Sequence, residues 1–338
     1  MKLIKTTEAV GQVLCHDMTQ IIPGEYKGAR FRKGHVVTEE DIPILLSMGK
    51  ENLYIFEMDE DKLHENDAAE ILCRLCKGAN ISRSEVKEGK IELTAAIDGL
   101  FTLDRSKLTA VNSIEELMIA TRKGDTAVHK GDKLAGTRVI PLVIDKTKLN
   151  QAEDIVAGDP IMNVLPYKIK TAAVITTGSE VFHGRIEDKF TPVLIEKLSA
   201  YDITVTEHLT VDDGMEHIVG AINKVKGKAD MILCTGGMSV DPDDRTPGAI
   251  KESGAQIITY GAPVLPGAMF LLGYFEDGTP IMGLPGCVMY AKATIFDLVL
   301  PRIAAGVKLS KADFVAYGEG GLCLGCEKCT YPHCPFGK

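Results

Sequence analysis

Thr171-Ala172-Ala173-Val174-Ile175-Thr176-Thr177-Gly178-Ser179-Glu180 and Met231-Ile232-Leu233-Cys234-Thr235-Gly236-Gly237-Met238-Ser239 decide how this chain folds. Each is a short, unbroken apolar run that stops at a glycine loop, the pattern of a strand covered on both faces. Between and after them the periodicity changes. A helix fits 191–200, with Pro192 tolerated in its first turn, and a strand fits 203–209. Met215, Ile218, Val219, Ile222 and Val225 fall on one face of a predicted helix. A helix near 247–253, a strand at 256–260, a hairpin turning at Asp277-Gly278 and a long helix over 286–304 complete the series. Alternating strands and helices predict an α/β domain over 171–305, with a doubly wound, mostly parallel sheet.

Around this domain the chain divides further. Residues 1–57 read as a small α+β segment, with extended runs broken at Pro23-Gly24, a helix over 38–48 opened by Thr38 and Asp41, and a strand at 53–56. Residues 58–150 read as an accessory α+β segment. It has a helix over 67–76, a hairpin turning at Asp98-Gly99, a second helix opened by Ser113 and Glu116, and strands over 128–143. A connector spans 151–170, and 306–338 form a tail.

Composition sets limits on function. Of 338 residues, 45% are hydrophobic and 25% charged, the profile of a globular protein. A net charge of −9 argues against a nucleic-acid partner, which needs a clustered cationic surface. No apolar run of about twenty residues predicts a membrane span. The first residues lack the apolar core of a secretory signal, so the expected compartment is the cytoplasm and the nine cysteines are expected as thiols or metal ligands.

In open α/β sheets, ligands bind beyond the carboxyl ends of the strands. Three such ends carry glycine loops here: Thr177-Gly178-Ser179-Glu180, Thr235-Gly236-Gly237-Met238-Ser239, and Leu284-Pro285-Gly286. Glycine lets backbone N–H groups approach an anion, a helix N-terminus adds partial positive charge, and the hydroxyls add hydrogen bonds. These loops predict a phosphate or pyrophosphate site. Asp188, Asp212, Asp213, Asp241, Asp243 and Asp244 fall in loops at the same edge, where carboxylates hold Mg²⁺ or accept hydrogen bonds from an amino-substituted ring. Asp188 and Asp212 equally suit helix caps. The crowded run 241–244 is harder to explain as structure alone, because neighbouring carboxylates repel.

The set Thr177-Gly178-Ser179-Glu180-Val181, Gly184-Arg185-Ile186-Glu187-Asp188, Val211-Asp212-Asp213, Thr235-Gly236-Gly237-Met238-Ser239, Pro266-Gly267 and Leu284-Pro285-Gly286 resembles, in order, the molybdopterin-binding domain family. That family is shared by molybdopterin adenylyltransferases and MoeA-like molybdenum insertases, and the MoeA-like branch fits best. The resemblance implies molybdopterin as ligand, with its phosphate on the glycine loops and its pterin on carboxylates. The implied binding set is Thr177, Gly178, Ser179, Glu180, Asp188, Asp212, Thr235, Gly236, Gly237, Met238, Ser239, Pro266, Gly267, Pro285 and Gly286. Asp241, Asp243 and Asp244 are the implied catalytic, metal-handling group, with Mg²⁺ as the expected ion. A molybdopterin molybdenumtransferase-like activity using molybdate, a homo-oligomer, and a molybdoenzyme or biosynthetic partner protein are further expectations.

Where insertases continue Pro-Gly with Lys-Pro and Leu-Pro-Gly with Asn-Pro, this chain has Ala268-Met269 and Cys287-Val288. Loss of that lysine removes a point charge suited to an oxyanion. Lys27, Arg30, Arg32, Lys33 and His35 form a basic run that either replaces it or faces solvent. A non-catalytic cofactor carrier is therefore an alternative. Asp243-Asp244-Arg245-Thr246 also resembles the Asp-Asp-x-Thr run of the CinA-like branch, which implies metal-dependent pyrophosphate hydrolysis as another.

The tail ends Cys323-x2-Cys326-x2-Cys329-x4-Cys334-Pro335. Four thiols so spaced predict a Zn²⁺ or iron–sulfur site. Cys73, Cys76 and Cys234 are expected in the core, while Cys287, at a predicted helix N-terminus, is a candidate for a lowered thiol pKa.

Overall fold

The computed structural model describes residues 2–22, 25–55 and 61–338. The expected break at Pro23-Gly24, the end of the 53–56 strand and the boundary near 57 lie outside them. Two compact units emerge: Met1–Ala96 with Leu103–Arg122 and Lys130–Val164, and Ile97–Thr102 with Lys123–His129 and Leu165–Lys338.

The first unit opens on a small core of Leu14, Met18, Phe31, Val37, Leu45 and Leu53. Its helix is Asp41–Ser47. The Asp41 carboxylate accepts from Thr38 N at 2.9 Å and Thr38 Oγ1 at 2.8 Å, and it pairs with His35 at 2.7 Å. These bonds hold Thr38 ahead of the helix, which starts three residues later than the sequence suggests. Farther on, an antiparallel sheet runs in the order Ile81–Arg83, Lys90–Ala95, Lys133–Val139, Leu117–Thr121. Helix Glu65–Cys76 buries Ala68, Ala69, Leu72, Cys73, Leu75 and Cys76.

Two local expectations fail in this half of the chain. Ser113 and Glu116 open no helix. The helix is Arg105–Asn112, capped by Asp104 Oδ1 accepting from Ser106 N and Lys107 N, and Leu117–Thr121 is a strand. There Leu117 and Ile119 are buried while Met118 and Ala120 are exposed, the alternation of a sheet edge. Asp98-Gly99 makes no hairpin either, since neither residue has the positive φ that a tight two-residue turn requires. Lys90–Ala95 pairs with Lys133–Val139, and Gly99–Leu103 pairs with Thr126–Val128. The stretch read as a connector contains most of helix Lys146–Val156 and strand Met162–Leu165.

The second unit contains the expected α/β sheet, together with the tail and two short stretches, 97–102 and 123–129. Its strands are β1 (Thr171–Thr177), β2 (Thr204–Val211), β3 (Met231–Thr235), β4 (Gln256–Tyr260), β5 (Leu271–Tyr274) and β6 (Pro280–Leu284). They lie in the order β2-β1-β3-β6-β5-β4. The contacts β1–β2, β1–β3 and β3–β6 are parallel, and β5 runs antiparallel to both β4 and β6.

Its helices are α1 (Ser179–Phe182), α2 (Phe190–Ser199), α3 (Met215–Val225), α4 (Thr246–Glu252) and α5 (Ile295–Ala304). One face of the sheet packs against Leu194, Leu198, Phe296, Val299 and Ile303. The other packs against Ile218, Ile222, Val225 and Ile250. Each fully buried aliphatic or aromatic side chain stabilises the fold by about 1.5–3 kcal/mol. Because chain order reverses direction at β1 and β3, the loops leaving their carboxyl ends diverge and open a crevice.

The long helix expected over 286–304 is interrupted. A 3-10 turn, Gly286–Met289, precedes α5. A capping box fixes the restart: Phe296 N donates to Thr294 Oγ1 at 3.2 Å, and Thr294 N donates to Asp297 Oδ2 at 2.7 Å.

Candidate functional site

A cleft of about 940 Å³ opens at the diverging ends of β1 and β3. Thr176, Thr177, Gly178, Glu180 and Val181 come to it from the first loop, and Gly236, Gly237, Asp241, Pro242, Asp243 and Asp244 from the second. Ile186, Glu187, Asp188, Lys189 and Phe190 close one side, with Asp213 and Met289 beside them.

Backbone geometry makes one of these glycines obligatory and favours glycine at a second. Gly236 has φ +85°, and a Cβ there would sit 2.2 Å from the Thr177 carbonyl oxygen. At Gly237, φ is +55° and a Cβ would meet the Thr246 hydroxyl at 3.0 Å. The two loops thus touch backbone to backbone, at a separation that leaves room only for hydrogen at Gly236. Thr246, the first residue of α4, clamps the joint. Its Oγ1 donates to Gly236 O at 2.8 Å and lies 3.2 Å from Thr177 Oγ1, and its N–H donates to Gly237 O at 3.2 Å. Thr235 is fully buried, and its hydroxyl has no hydrogen-bond partner among the described residues, an uncommon state for an interior polar atom.

The carboxylates divide by task. Asp188 Oδ1 caps α2, accepting from Phe190 N at 2.8 Å and Thr191 N at 3.1 Å. Its Oδ2 accepts from Thr191 Oγ1 at 2.6 Å and Thr176 Oγ1 at 3.0 Å, with His208 Nε2 at 3.3 Å. Burial by itself raises this carboxyl's pKa. The hydrogen bonds from Thr191, Phe190 and Thr176 outweigh it and hold the group below the usual carboxylate range. Asp188 therefore caps a helix and lines the cleft at once.

Asp212 lies outside the lining. It accepts from His217 Nδ1 at 2.6 Å and Gly214 N at 2.9 Å at the entry to α3. The bond from His217 and that from Gly214 lower its pKa, and the same pairing raises that of His217. The cleft receives Asp213 instead, whose Oδ2 accepts from Ser179 N at 2.8 Å. In the acidic run, Asp244 N donates to Asp241 O at 2.9 Å, and Asp241 N to Asp244 Oδ2 at 3.2 Å. Arg245 stands 3.6 Å from Asp243 and relieves part of the expected repulsion.

Other expected site residues also lie outside the lining. Met238 is buried under β6, where a Cβ on Gly283 would strike its side chain at 2.5 Å. Ser239 and Gly286 are exposed, Pro285 is buried, and the Gly286 turn reaches the cleft through Met289. Pro266-Gly267 packs against the start of α5: Ile295 N donates to Pro266 O at 3.3 Å, and a Cβ on Gly267 would meet Ile295 Cγ2 at 2.5 Å. Sequence reasoning missed Thr176, Thr191, His208 and Thr246. Thr246 alone carried a signal, as the last residue of the Asp-Asp-x-Thr run.

Cys287 departs from expectation. Burial pushes its thiol up, because it enters a single short turn with little dipole to offset desolvation. Cys73, Cys76 and Cys234 are buried in the core as expected, and burial takes the Cys234 thiol up to about 12. In the tail, Cys323, Cys326, Cys329 and Cys334 are free thiols. Among the described residues no group of three or more His, Cys, Asp or Glu side chains converges closely enough to hold a metal ion, either there or in the acidic run. No helix among them is long and apolar enough to cross a membrane.

Residues 173–305 match the family described as "Probable molybdopterin binding domain", and residues 3–57 match a "Domain of unknown function (DUF8806)". The chain is similar to a molybdopterin molybdenumtransferase of Staphylococcus epidermidis, with 26% identity over 306 residues. That match covers 84% of this chain and 66% of the relative, so the chain spans just under two thirds of its length. It is also similar to a CinA-like protein of Pseudothermotoga lettingae, 36% identical over 85 residues, which are 25% of this chain and 21% of that protein. Among solved structures, the molybdopterin biosynthesis enzyme MoaB of Thermus thermophilus overlays with a TM-score of 0.36 and 21% identity, covering 43% of this chain and 98% of that one. The family match thus falls on the stretch that holds both glycine loops of the cleft.

Proposed function

We propose that the chain binds molybdopterin, free or adenylated, in the cleft beyond β1 and β3, and takes part in molybdenum cofactor biosynthesis. The observation that carries this reading is the convergence of Gly178, Gly236 and Gly237 with Thr177 on one cleft, inside the stretch matched by the family. The glycine backbones suit a phosphate, and the cleft has the size of a small-molecule site. Glu180, Asp188 and Asp213 suit the N–H donors of an aminopterin.

Among the described residues, seven carboxylates line the cleft (Glu180, Glu187, Asp188, Asp213, Asp241, Asp243, Asp244) against one cation, Lys189. A phosphate entering this wall is repelled unless a divalent cation bridges it. Mg²⁺ held by Asp241, Asp243 and Asp244 is the proposed bridge, since hard oxygen ligands and a substrate phosphate are its usual partners. Further parts of the proposal are a homo-oligomeric state, a partner protein that receives the cofactor, and a metal, Zn²⁺ or an iron–sulfur cluster, on the four tail cysteines.

Titrating the purified chain with molybdopterin tests the reading. Saturable binding is expected, about tenfold weaker after chelation of Mg²⁺. Binding followed by molybdate-dependent formation of active cofactor marks metal insertion. Binding that protects the ligand without turnover marks a carrier, the reading favoured by Ala268-Met269 and Cys287-Val288. Absence of binding contradicts both.

A second reading is favoured by Asp243 and Asp244 on the cleft wall and by the similarity to a CinA-like protein. In it the same carboxylates hold a metal that stabilises charge on a pyrophosphate during attack by water. Metal-dependent release of AMP from adenylated molybdopterin, with no requirement for molybdate, distinguishes it.

A further inference from the structure

We propose that the four tail cysteines hold a polynuclear iron–sulfur cluster rather than a single zinc ion. This rests on the reading of the tail as a metal site given above and decides between its two occupants.

The tail is a folded part of the second unit. Leu265 N donates to Gly321 O and Cys323 N to Leu265 O, each at 2.8 Å. Gly337 N donates to Gly320 O, also at 2.8 Å, and Tyr331 Oη donates to Asp297 O at 3.0 Å. Phe336 is buried in the core shared with α5. The chain is therefore pinned before Cys323, between Cys329 and Cys334, and after Cys334.

Within that frame, all four thiols line one cavity of about 230 Å³, whose other walls are mostly apolar and include Ala293, Tyr331 and Phe336. The size favours an occupant larger than one ion. A tetrahedral zinc ion sits about 2.3 Å from each sulfur and draws the four sulfurs into mutual contact, leaving no space between them. A cavity many times the roughly 10–15 Å³ that admits one water fits a body of several atoms. A cluster interposes iron and sulfide ions between its four thiolates and so needs such a space. Lys292 on the cavity wall supplies a cation toward the negative charge of four thiolates. The spacing Cys-x2-Cys-x2-Cys is likewise that of loops supplying three thiolates to one cluster; Cys334, on the same cavity wall, is the fourth.

The test offers the full chain both occupants. Purified anaerobically and reconstituted with a mixture of ferric and ferrous iron and sulfide in the presence of zinc, the protein is expected to turn brown. It should hold iron and inorganic sulfide in equal amounts, and dithionite should bleach its visible absorbance. Cys326 and Cys329 are exposed, so the Cys326→Ser/Cys329→Ser double variant is expected to keep the thermal unfolding transition of the metal-free parent, while retained iron and sulfide fall to background. Stoichiometric zinc without sulfide overturns the cluster and leaves the metal site standing. Binding of neither metal overturns both. Iron and sulfide retained undiminished by the double variant also overturn the proposal, since the cluster then lies elsewhere.

Discussion

The hydroxyls of the buried Thr177 and Thr246 lie 3.2 Å apart beside the cleft, one at the end of β1 and the other at the start of α4. Thr246 spends its single proton on Gly236 O at 2.8 Å, so Thr177 is the donor between the two hydroxyls. This short relay holds two glycine loops in register. Replacing Thr246 with Val removes the side-chain partner of the half-buried Gly236 carbonyl and of the buried Thr177 hydroxyl. A loss of about 1–3 kcal/mol is expected, together with weaker molybdopterin binding. Thr246→Ser, which keeps the hydroxyl, should recover most of both, as read by denaturant midpoints and ligand titration.

Two glycines of the expected phosphate loops should respond differently to alanine. Gly236→Ala places a Cβ 2.2 Å from Thr177 O at φ +85° and is expected to cost about 2 kcal/mol or more. Gly286 has open space around it and no positive φ, so Gly286→Ala should change stability by less than about 0.5 kcal/mol. Equal losses at the two positions would contradict the loop geometry.

Much of the α/β domain was legible because its signals are local and repeated. The apolar runs 172–175 and 231–234 could only be buried strands, and Met215–Val225 shows one apolar face. Errors arose where one local signal was outweighed by a neighbour. Asp104 captured the helix that Ser113 seemed to open, and the Thr294–Asp297 box restarted a helix that apolar composition ran together. For the site, strand ends identified the loops leading to Thr177, Gly178, Gly236 and Gly237. Which of two adjacent carboxylates turns inward is set by partners distant in sequence. Asp212 is taken up by His217 and Gly214, leaving Asp213 to the cleft, and no sequence pattern distinguishes them.

That division predicts a titration. His217 has its pKa raised by Asp212, whose own pKa is lowered. The pair's contribution to stability is present above the ordinary carboxylate value of 3.8 and below the ordinary imidazole value of 6.5. It fades as pH falls through the depressed Asp212 value or rises through the elevated His217 value. Asp212→Asn should return the His217 pKa toward 6.5, observed by NMR of the imidazole protons, and leave molybdopterin affinity within about twofold, since Asp212 does not line the cleft.

Asp188 should behave otherwise. Its depressed pKa makes its contribution fully present above 3.8 and lost as pH falls through the lower folded value. Asp188→Ala removes the α2 cap at a cost of about 1 kcal/mol at neutral pH. The gap between variant and parent should close in acid, and ligand affinity should drop in the same variant. A pH-independent gap would show that the ionised carboxylate is not the stabilising species.

The central claim is that backbone amides of the first and second glycine loops hold the ligand phosphate together. Amide chemical-shift mapping on the isotopically labelled chain, titrated with molybdopterin and Mg²⁺, tests it most directly. Because Gly178 N already donates to Val211 O and Ser179 N to Asp213 Oδ2, the account predicts the largest shifts at Glu180, Val181, Gly236 and Gly237, moving together along one binding curve. Shifts confined to one loop, or concentrated away from the ends of β1 and β3, would contradict it.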